Sequence, residues 1–301
     1  MATYGEVLNK IEALVNTGVE NIKAVNDSRK DYIKDFQTSR NRNLICYYSG
    51  WVQGGNGGEL YAINDDDMNS FMAAVNGMDF TKGLDLILHT PGGNVAATQS
   101  IVTYLLKMFS SDIEVFVPHM AMSCGTMMAC ASKKIHMCKH SSLGPVDPQY
   151  SGIPIQEIIA EFDKGYSDIQ MNVATTNYWN ILLSKYPAAI YGKAKNTNTW
   201  AVSTVEGWLE TVMFFGRASA KQDAASVVSK ISSAQLTKTH DKHIMIDEAK
   251  SIGLVINDVE SNQDLQNKLL GLHYSYVITF GNTTALKIIE NHLGFDRVTM
   301  G

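Results

Sequence analysis

The 301-residue chain holds only 6 prolines and 4 cysteines, and only 18% of its residues are charged. With so little proline there is no Pro-rich linker, and neither an internal repeat nor a low-complexity tract interrupts the chain. The cysteines, Cys46, Cys124, Cys130 and Cys138, are too few in so long a chain to staple a disulfide scaffold, and their spacing fits no zinc pattern. They read as free thiols of a reducing compartment. Neither sign of charge dominates: 25 Lys and Arg stand against 30 Asp and Glu, a net charge of −5. That balance gives no reason to expect nucleic acid or an anionic membrane as partner. No N-terminal apolar stretch approaches the ~20 residues of a membrane helix, or the shorter core of a signal peptide. The expectation is a cytoplasmic chain without a transmembrane segment. No His, Asp and Glu cluster has metal-ligand spacing, so no metal and no cofactor are expected.

What the chain does have is apolar content, 45% of residues, enough to bury a real core. Between Tyr4 and Phe36, apolar residues recur at helical spacing (Val7, Leu8, Ile11, Leu14, Val15, then Val19, Ile22, Val25). This predicts an amphipathic N-terminal helix broken near Gly18. At Asn43 the pattern changes to LICYYSGW, a short aromatic strand, followed by a GGNGG loop at 54–58. Asp65, Asp66 and Asp67 precede a helical run, where acidic groups suit the positive helix N-terminus.

An ordered succession follows. LDLILHT (84–90) reads as a buried strand, PGG as a tight turn, and VAATQSIVTYLLKMF (95–109) as a helix. IEVFVPH (113–119) is a second strand, AMSCG a turn and TMMACASKK a small-residue helix, before a third strand at KIHMC (134–138). Strand, turn and helix repeated this way predict an α/β fold with a mostly parallel sheet. Both turns fall at the carboxyl ends of strands, where such folds place their sites. Further helices are expected from Ile155 onward and at MIDEAKSIGL (245–254), with a late strand at HYSYVITF (273–280) and a last helix at ALKIIENHLG (285–294).

The two turns carry the chemistry. Ser123, after a strand and at the start of a helix, is either a helix cap or a nucleophile. Gly92 and Gly93, after the preceding strand, can aim backbone N–H groups at an oxygen, although Pro-Gly-Gly is also an ordinary turn. Together they have the parts that acyl transfer needs: a hydroxyl, and N–H donors from Gly92, Gly93 and Cys124 for the anion that forms on the attacked carbonyl. His89 and His119 precede the two turns, where each is expected to bond a backbone group at its strand end.

The run HTPGGNVAATQSI…VFVPHMAMSCGTMMACASKKIHM…SSLGPVDPQ resembles the serine dehydrogenase proteinase family. That family belongs to the Clp protease/crotonase superfamily, with the Clp proteolytic subunit and signal peptide peptidase A. THDKHIMIDEAKSIGL (239–254) and YVITFGNTTALKIIENHLG (276–294) extend the resemblance over residues 43 to 294. It implies a spiral of ββα units and ATP-independent hydrolysis of peptide or protein substrates in a homo-oligomer. Nothing points to hydride transfer, since no GxGxxG follows a strand. The family nucleophile falls on Ser123 and the oxyanion glycine on Gly92. The family's Gly-Gly after the serine is here Cys124-Gly125, which adds a thiol beside the site.

The base is less direct. The histidine of the Clp subunit would fall near Val146 and Asp147, where there is none; His136 and His140 read as structural. In signal-peptide-peptidase-like relatives a lysine serves, and their register places it on Lys164, 41 residues after Ser123. A lysine base requires burial, yet helical phase sets Lys164 opposite Ile155. His240 supported by Asp241, where the Clp subunit keeps its aspartate, is the other candidate. Without a base the chain would be a catalytically degenerate scaffold; a crotonase-like activity needs no serine here and is disfavoured. The expected organisation is a helical segment at 1–40, a Clp/crotonase-like domain at 41–257, and a C-terminal α/β extension at 258–301.

Overall fold

The computed structural model describes residues 2–54, 58–232 and 242–301. The N-terminal stripe forms two helices, α1 (Tyr4–Asn16) and α2 (Asn21–Arg40), parted at Gly18, whose φ of 93° a β-carbon would disfavour. A capping box between Thr3 and Glu6 opens α1.

The core is a seven-stranded sheet. Its first strands are β1 (Asn43–Ser49), β2 (Leu84–His89), β3 (Ile113–Val117) and, past a two-residue β4 (Met120–Ala121), β5 (Ile135–Met137). Helices α3 (Asp66–Ala74), α4 (Val95–Met108) and α5 (Cys124–Cys130) separate them. Short strands β6 (Ser142–Leu143), β7 (Gln149–Tyr150) and β8 (Ile153–Pro154) lead into α6 (Ile155–Met171), α7 (Thr176–Leu183), α8 (Ile190–Trp208) and α9 (Ala220–Ile231). The chain then runs through β9 (Ile244–Met245), α10 (Ile246–Ile252), β10 (Ile256–Asp258), α11 (Gln263–Asn282), β11 (Ala285–Asn291) and β12 (Asp296–Met300).

In the large sheet the strand order is β10-β5-β3-β2-β1-β11-β12. The first five run parallel, and β11 and β12 close the far edge as an antiparallel hairpin against β1. Both faces of the inner strands are covered, so β1, β2 and β3 are buried nearly throughout and show no strict polar alternation. Ile45, Tyr47, Leu86 and Val115 face α3, α4 and α5, while Leu44, Cys46, Ile87 and Phe116 face Phe36 of α2 and Leu269, Leu272 and Tyr276 of α11.

The C-terminal expectations are reversed. HYSYVITF lies inside α11, and ALKIIENHLG supplies β11. The β-favouring Tyr, Val, Ile and Phe of 273–280 continue a helical spacing of buried positions (Leu265, Leu269, Leu272, Tyr276, Phe280), and tertiary packing overrides their propensity. Ala285–Asn291 is buried almost throughout, and a fully buried strand shows no period of two to distinguish it from a helix.

All four cysteines are free and buried. Among the described residues no helix is long and apolar enough to cross a membrane, and no group of three or more His, Cys, Asp or Glu is placed to hold a metal ion.

Candidate active site

Two turns at the carboxyl ends of β2 and β3 lie side by side. Thr90 ties them: its N–H donates to the Met120 carbonyl at 3.1 Å, and its own carbonyl accepts from Met122 N–H at 3.0 Å. Ser123 occupies the cap position of α5, but its hydroxyl makes no capping hydrogen bond. Its backbone is held at φ 50° and ψ −113°, a conformation that costs a non-glycine residue about 1–3 kcal/mol. The surroundings impose it. Gly125 N–H donates to the Met122 carbonyl at 2.7 Å, and Met127 N–H to that of Ser123 at 3.1 Å. From below, the Thr126 hydroxyl oxygen accepts Gly144 N–H at 2.9 Å and faces the Ala121 carbonyl at 2.8 Å. Gly144 keeps this contact close: a β-carbon there would lie 3.0 Å from Ser123 N and press on the turn.

The glycine turn is packed against this one. A β-carbon on Gly92, whose φ is 103°, would stand 2.8 Å from both Ser123 Cβ and the Met122 carbonyl oxygen. Gly93 is clasped from the other side by residues 62–64: Ile63 N–H donates to the Gly92 carbonyl, and Asn94 N–H to the Ile63 carbonyl, each at 2.8 Å. Asn94 then caps α4, its side chain accepting from Ala96 and Ala97 N–H.

Of the three N–H donors expected, two have no protein acceptor among the described residues. The Gly92 N–H donates to Thr90 Oγ1 at 3.1 Å. The bridge to Ile63 engages the Gly92 carbonyl and Asn94 N–H and leaves out the Gly93 N–H. Cys124 N–H is the first of a helix and has no intrahelical acceptor. The Cys124 thiol donates to the Gly93 carbonyl at 3.0 Å and joins the two turns. Burial raises its pKa, which keeps it a thiol.

Ser123, Cys124, Gly92 and Gly93 all line one cleft of about 610 Å³, whose walls include Ala62, Val95, Met127, Val146, Asp147 and Trp200. Among the described lining residues there is no histidine or lysine. Lys164 lies on α6, largely exposed, with its ammonium 3.0 Å from Asp168 one turn on. The opposite helical phase read from Ile155, which is buried, is therefore seen. His240 and Asp241 lie outside the described residues.

His89 and His119 stack on the opposite face of the sheet from the cleft. His89 Nδ1 donates to the Ser49 carbonyl at 3.0 Å, so its Nε2 is left as acceptor toward His119 Nδ1 at 3.4 Å. Burial holds His89 down at about 3 and lowers His119 and, more strongly, His273, each aided by neighbouring imidazoles. These rings fold neutral, whereas the unfolded chain takes up protons below the ordinary value of 6.5. Stability is thus complete above that pH and falls as the pH drops, with His89 alone costing on the order of 3 kcal/mol by pH 4. Chemical denaturation from pH 7 to pH 4 should show this slope, flattened in His89→Gln.

The residues that sequence reading missed are those that hold the turns: Thr90, Thr126, and the wall at 62–64 with Asp67 and Lys287 behind it. Thr126 was visible within SCGT, and Asp67 looked like an ordinary helix-start acid.

A strained serine turn beside a glycine turn, at the carboxyl edge of a mostly parallel sheet, has the layout of a serine-hydrolase-type site. The profile of the ClpP-like SDH-type serine proteinases matches residues 14–176, more than half of the chain, and the protein belongs to that family. Among curated proteins it is similar to the uncharacterised protein MJ0137 of Methanocaldococcus jannaschii, 33% identical over 206 residues, covering 66% of this chain and 61% of that one. MJ1495 of the same organism is 26% identical over 196 residues, covering 65% and 59%. The chain thus spans about three fifths of the length of the curated relatives it matches. Among solved structures, the membrane-bound stomatin-specific protease 1510-N in a serine-to-alanine form aligns at a TM-score of 0.39 and 15% identity, covering 66% of this chain and 77% of that one. Its lysine-to-alanine form with a substrate peptide aligns at 0.38 and 17% identity, covering 65% and 71%.

Proposed function

We propose that the protein is an ATP-independent serine peptidase in which Ser123 attacks a peptide carbonyl. The oxyanion is then held by the N–H groups of Gly93 and Cys124, with Gly92 shaping the turn. The observation that carries this reading is the backbone of Ser123, held in a costly conformation that leaves its hydroxyl uncapped in the cleft. Strain of that kind persists where the surroundings over-determine it, and functional sites are where it collects.

The proton acceptor comes from beyond the described cleft wall, from Lys164 or from His240 with Asp241. Lys164 stands on an arm, α6 and α7, that exposes Tyr166, Met171, Val173, Tyr178 and Ile181. So many large apolar groups on one arm suit a surface that is covered in a homo-oligomer, in keeping with a cytoplasmic assembly acting on peptide or protein substrates. Covering the arm would also give a lysine the desolvation that a base requires. The absence of a base from the described wall equally favours a second reading, a catalytically degenerate scaffold.

Fluorophosphonate labelling separates the two. Wild type is expected to label at Ser123 and Ser123→Ala to stay unlabelled; an unlabelled, folded and assembled wild type would leave the scaffold. Lys164→Met should slow labelling by about 10²-fold or more, with His240→Ala near wild type. The reverse pattern moves the base to His240, and wild-type rates in both remove both assignments.

A further inference from the structure

The clasp on the glycine turn rests on a buried ion pair. Lys287, on β11, is 2.6 Å from Asp67, on α3, and their side chains are 2% and 4% exposed. Each partner also holds the backbone of the clasp. Lys287 Nζ donates to the Ala62 carbonyl at 2.9 Å, and Asp67 Oδ2 accepts Asn64 N–H at 3.0 Å. Tyr47 on β1 donates its hydroxyl to the same Asp67 oxygen at 3.0 Å. Ile63 lies between these two anchored residues, and it is Ile63 whose N–H and carbonyl engage the Gly92 carbonyl and Asn94 N–H. A continuous path of short contacts therefore runs from Lys287 and Asp67, through residues 62–64, to the turn that carries the Gly93 N–H.

Stability alone does not account for such a pair. Two buried charges lose so much hydration that apolar residues of similar volume commonly serve the fold as well or better. What an apolar pair cannot do is bond the Ala62 carbonyl and the Asn64 N–H. A segment without those anchors is free to drift, and a displacement of about 1 Å at a catalytic group is enough to cost orders of magnitude in rate.

We propose that Lys287 and Asp67, oriented by Tyr47, are positioning residues for the oxyanion turn, acting through residues 62–64. The catalytic consequence rests on Ser123 being the nucleophile; the positional one does not. Three proteins test it: wild type, Tyr47→Phe, and an all-apolar replacement combining Tyr47→Phe, Asp67→Leu and Lys287→Met. The first readout is amide hydrogen exchange at Asn94, whose N–H is bonded to Ile63. Exchange there should rise at least tenfold in the apolar replacement, while amides of the β1–β2 ladder keep their protection. In Tyr47→Phe the rise should be smaller and in the same direction. The second readout is fluorophosphonate labelling, expected to fall at least tenfold in the apolar replacement with its melting temperature kept.

Wild-type Asn94 exchange in a folded apolar replacement would overturn the proposal. If that protein does not fold, Tyr47→Phe decides: unchanged exchange and labelling together overturn it. Looser Asn94 exchange in the variants, with a wild type that never labels, would retain the clasp and dismiss Ser123 as nucleophile. Looser exchange with undiminished labelling would dismiss the catalytic role.

Discussion

Replacing Ser123 by glycine is expected to abolish fluorophosphonate labelling and, at the same time, to raise the melting temperature. The two effects arise from one backbone conformation. At φ 50° and ψ −113° the Cβ of Ser123 is strained, and glycine relieves that strain while leaving the turn's hydrogen bonds in place. Relief of about 1–3 kcal/mol is partly offset by the freedom glycine gains in the unfolded chain, leaving roughly 1 kcal/mol in favour of the variant. For a chain of this size that is about 2 °C, measurable by calorimetry. Ser123→Ala, which keeps a β-carbon, should lose labelling equally but melt near wild type. A glycine variant that melts below the alanine variant would show that the turn stores no strain.

The second large effect is expected at Gly93. A β-carbon there would fall 2.8 Å from the Ile63 Cα and closer still to the Ile63 backbone nitrogen and oxygen, so Gly93→Ala must open the clasp. Overpacking against backbone, which cannot rotate away, costs about 1–3 kcal/mol. Loss of an oxyanion donor lowers rate by about 10²–10³-fold. Asn94→Ala is the control: it removes only the cap of α4, at about 1 kcal/mol, and should label near wild type once melting is accounted for. A Gly93→Ala protein labelled at the wild-type rate would take the oxyanion role away from this turn.

The two turns were readable in the sequence because each is local. His89 to Gly93 and His119 to Gly125 carry their strand, turn and helix signals within a few residues, and hydrophobic runs on either side fix their place at the sheet edge. The position of Ser123 beside Gly92 follows from β2 and β3 being parallel neighbours. What joins the turns was not readable. Lys287 reaches Ala62 across 225 positions, and no local pattern marks either residue. Gly92 also seemed the natural oxyanion donor until its N–H was found on Thr90, a contact set by side-chain rotamer and not by spacing. At the C-terminus, burial on both faces removed the alternation that would have told strand from helix in Ala285–Asn291. The base stayed open for a different reason: a lysine on an exposed helix carries no local signal that would mark it as a base.

The place of β11 also sets an order in time. Chains emerge from the ribosome N-terminal end first, so Ser123, Gly92 and Gly93 leave the exit tunnel long before Lys287. Until β11 arrives, β1 has no neighbour on its β11 side and residues 62–64 lack their anchoring ammonium. A half-made chain would therefore carry Ser123 beside a glycine turn that is not yet fully clasped. Any reactivity of the proposed nucleophile would thus wait until β11 has joined β1 and its lysine has reached the Ala62 carbonyl.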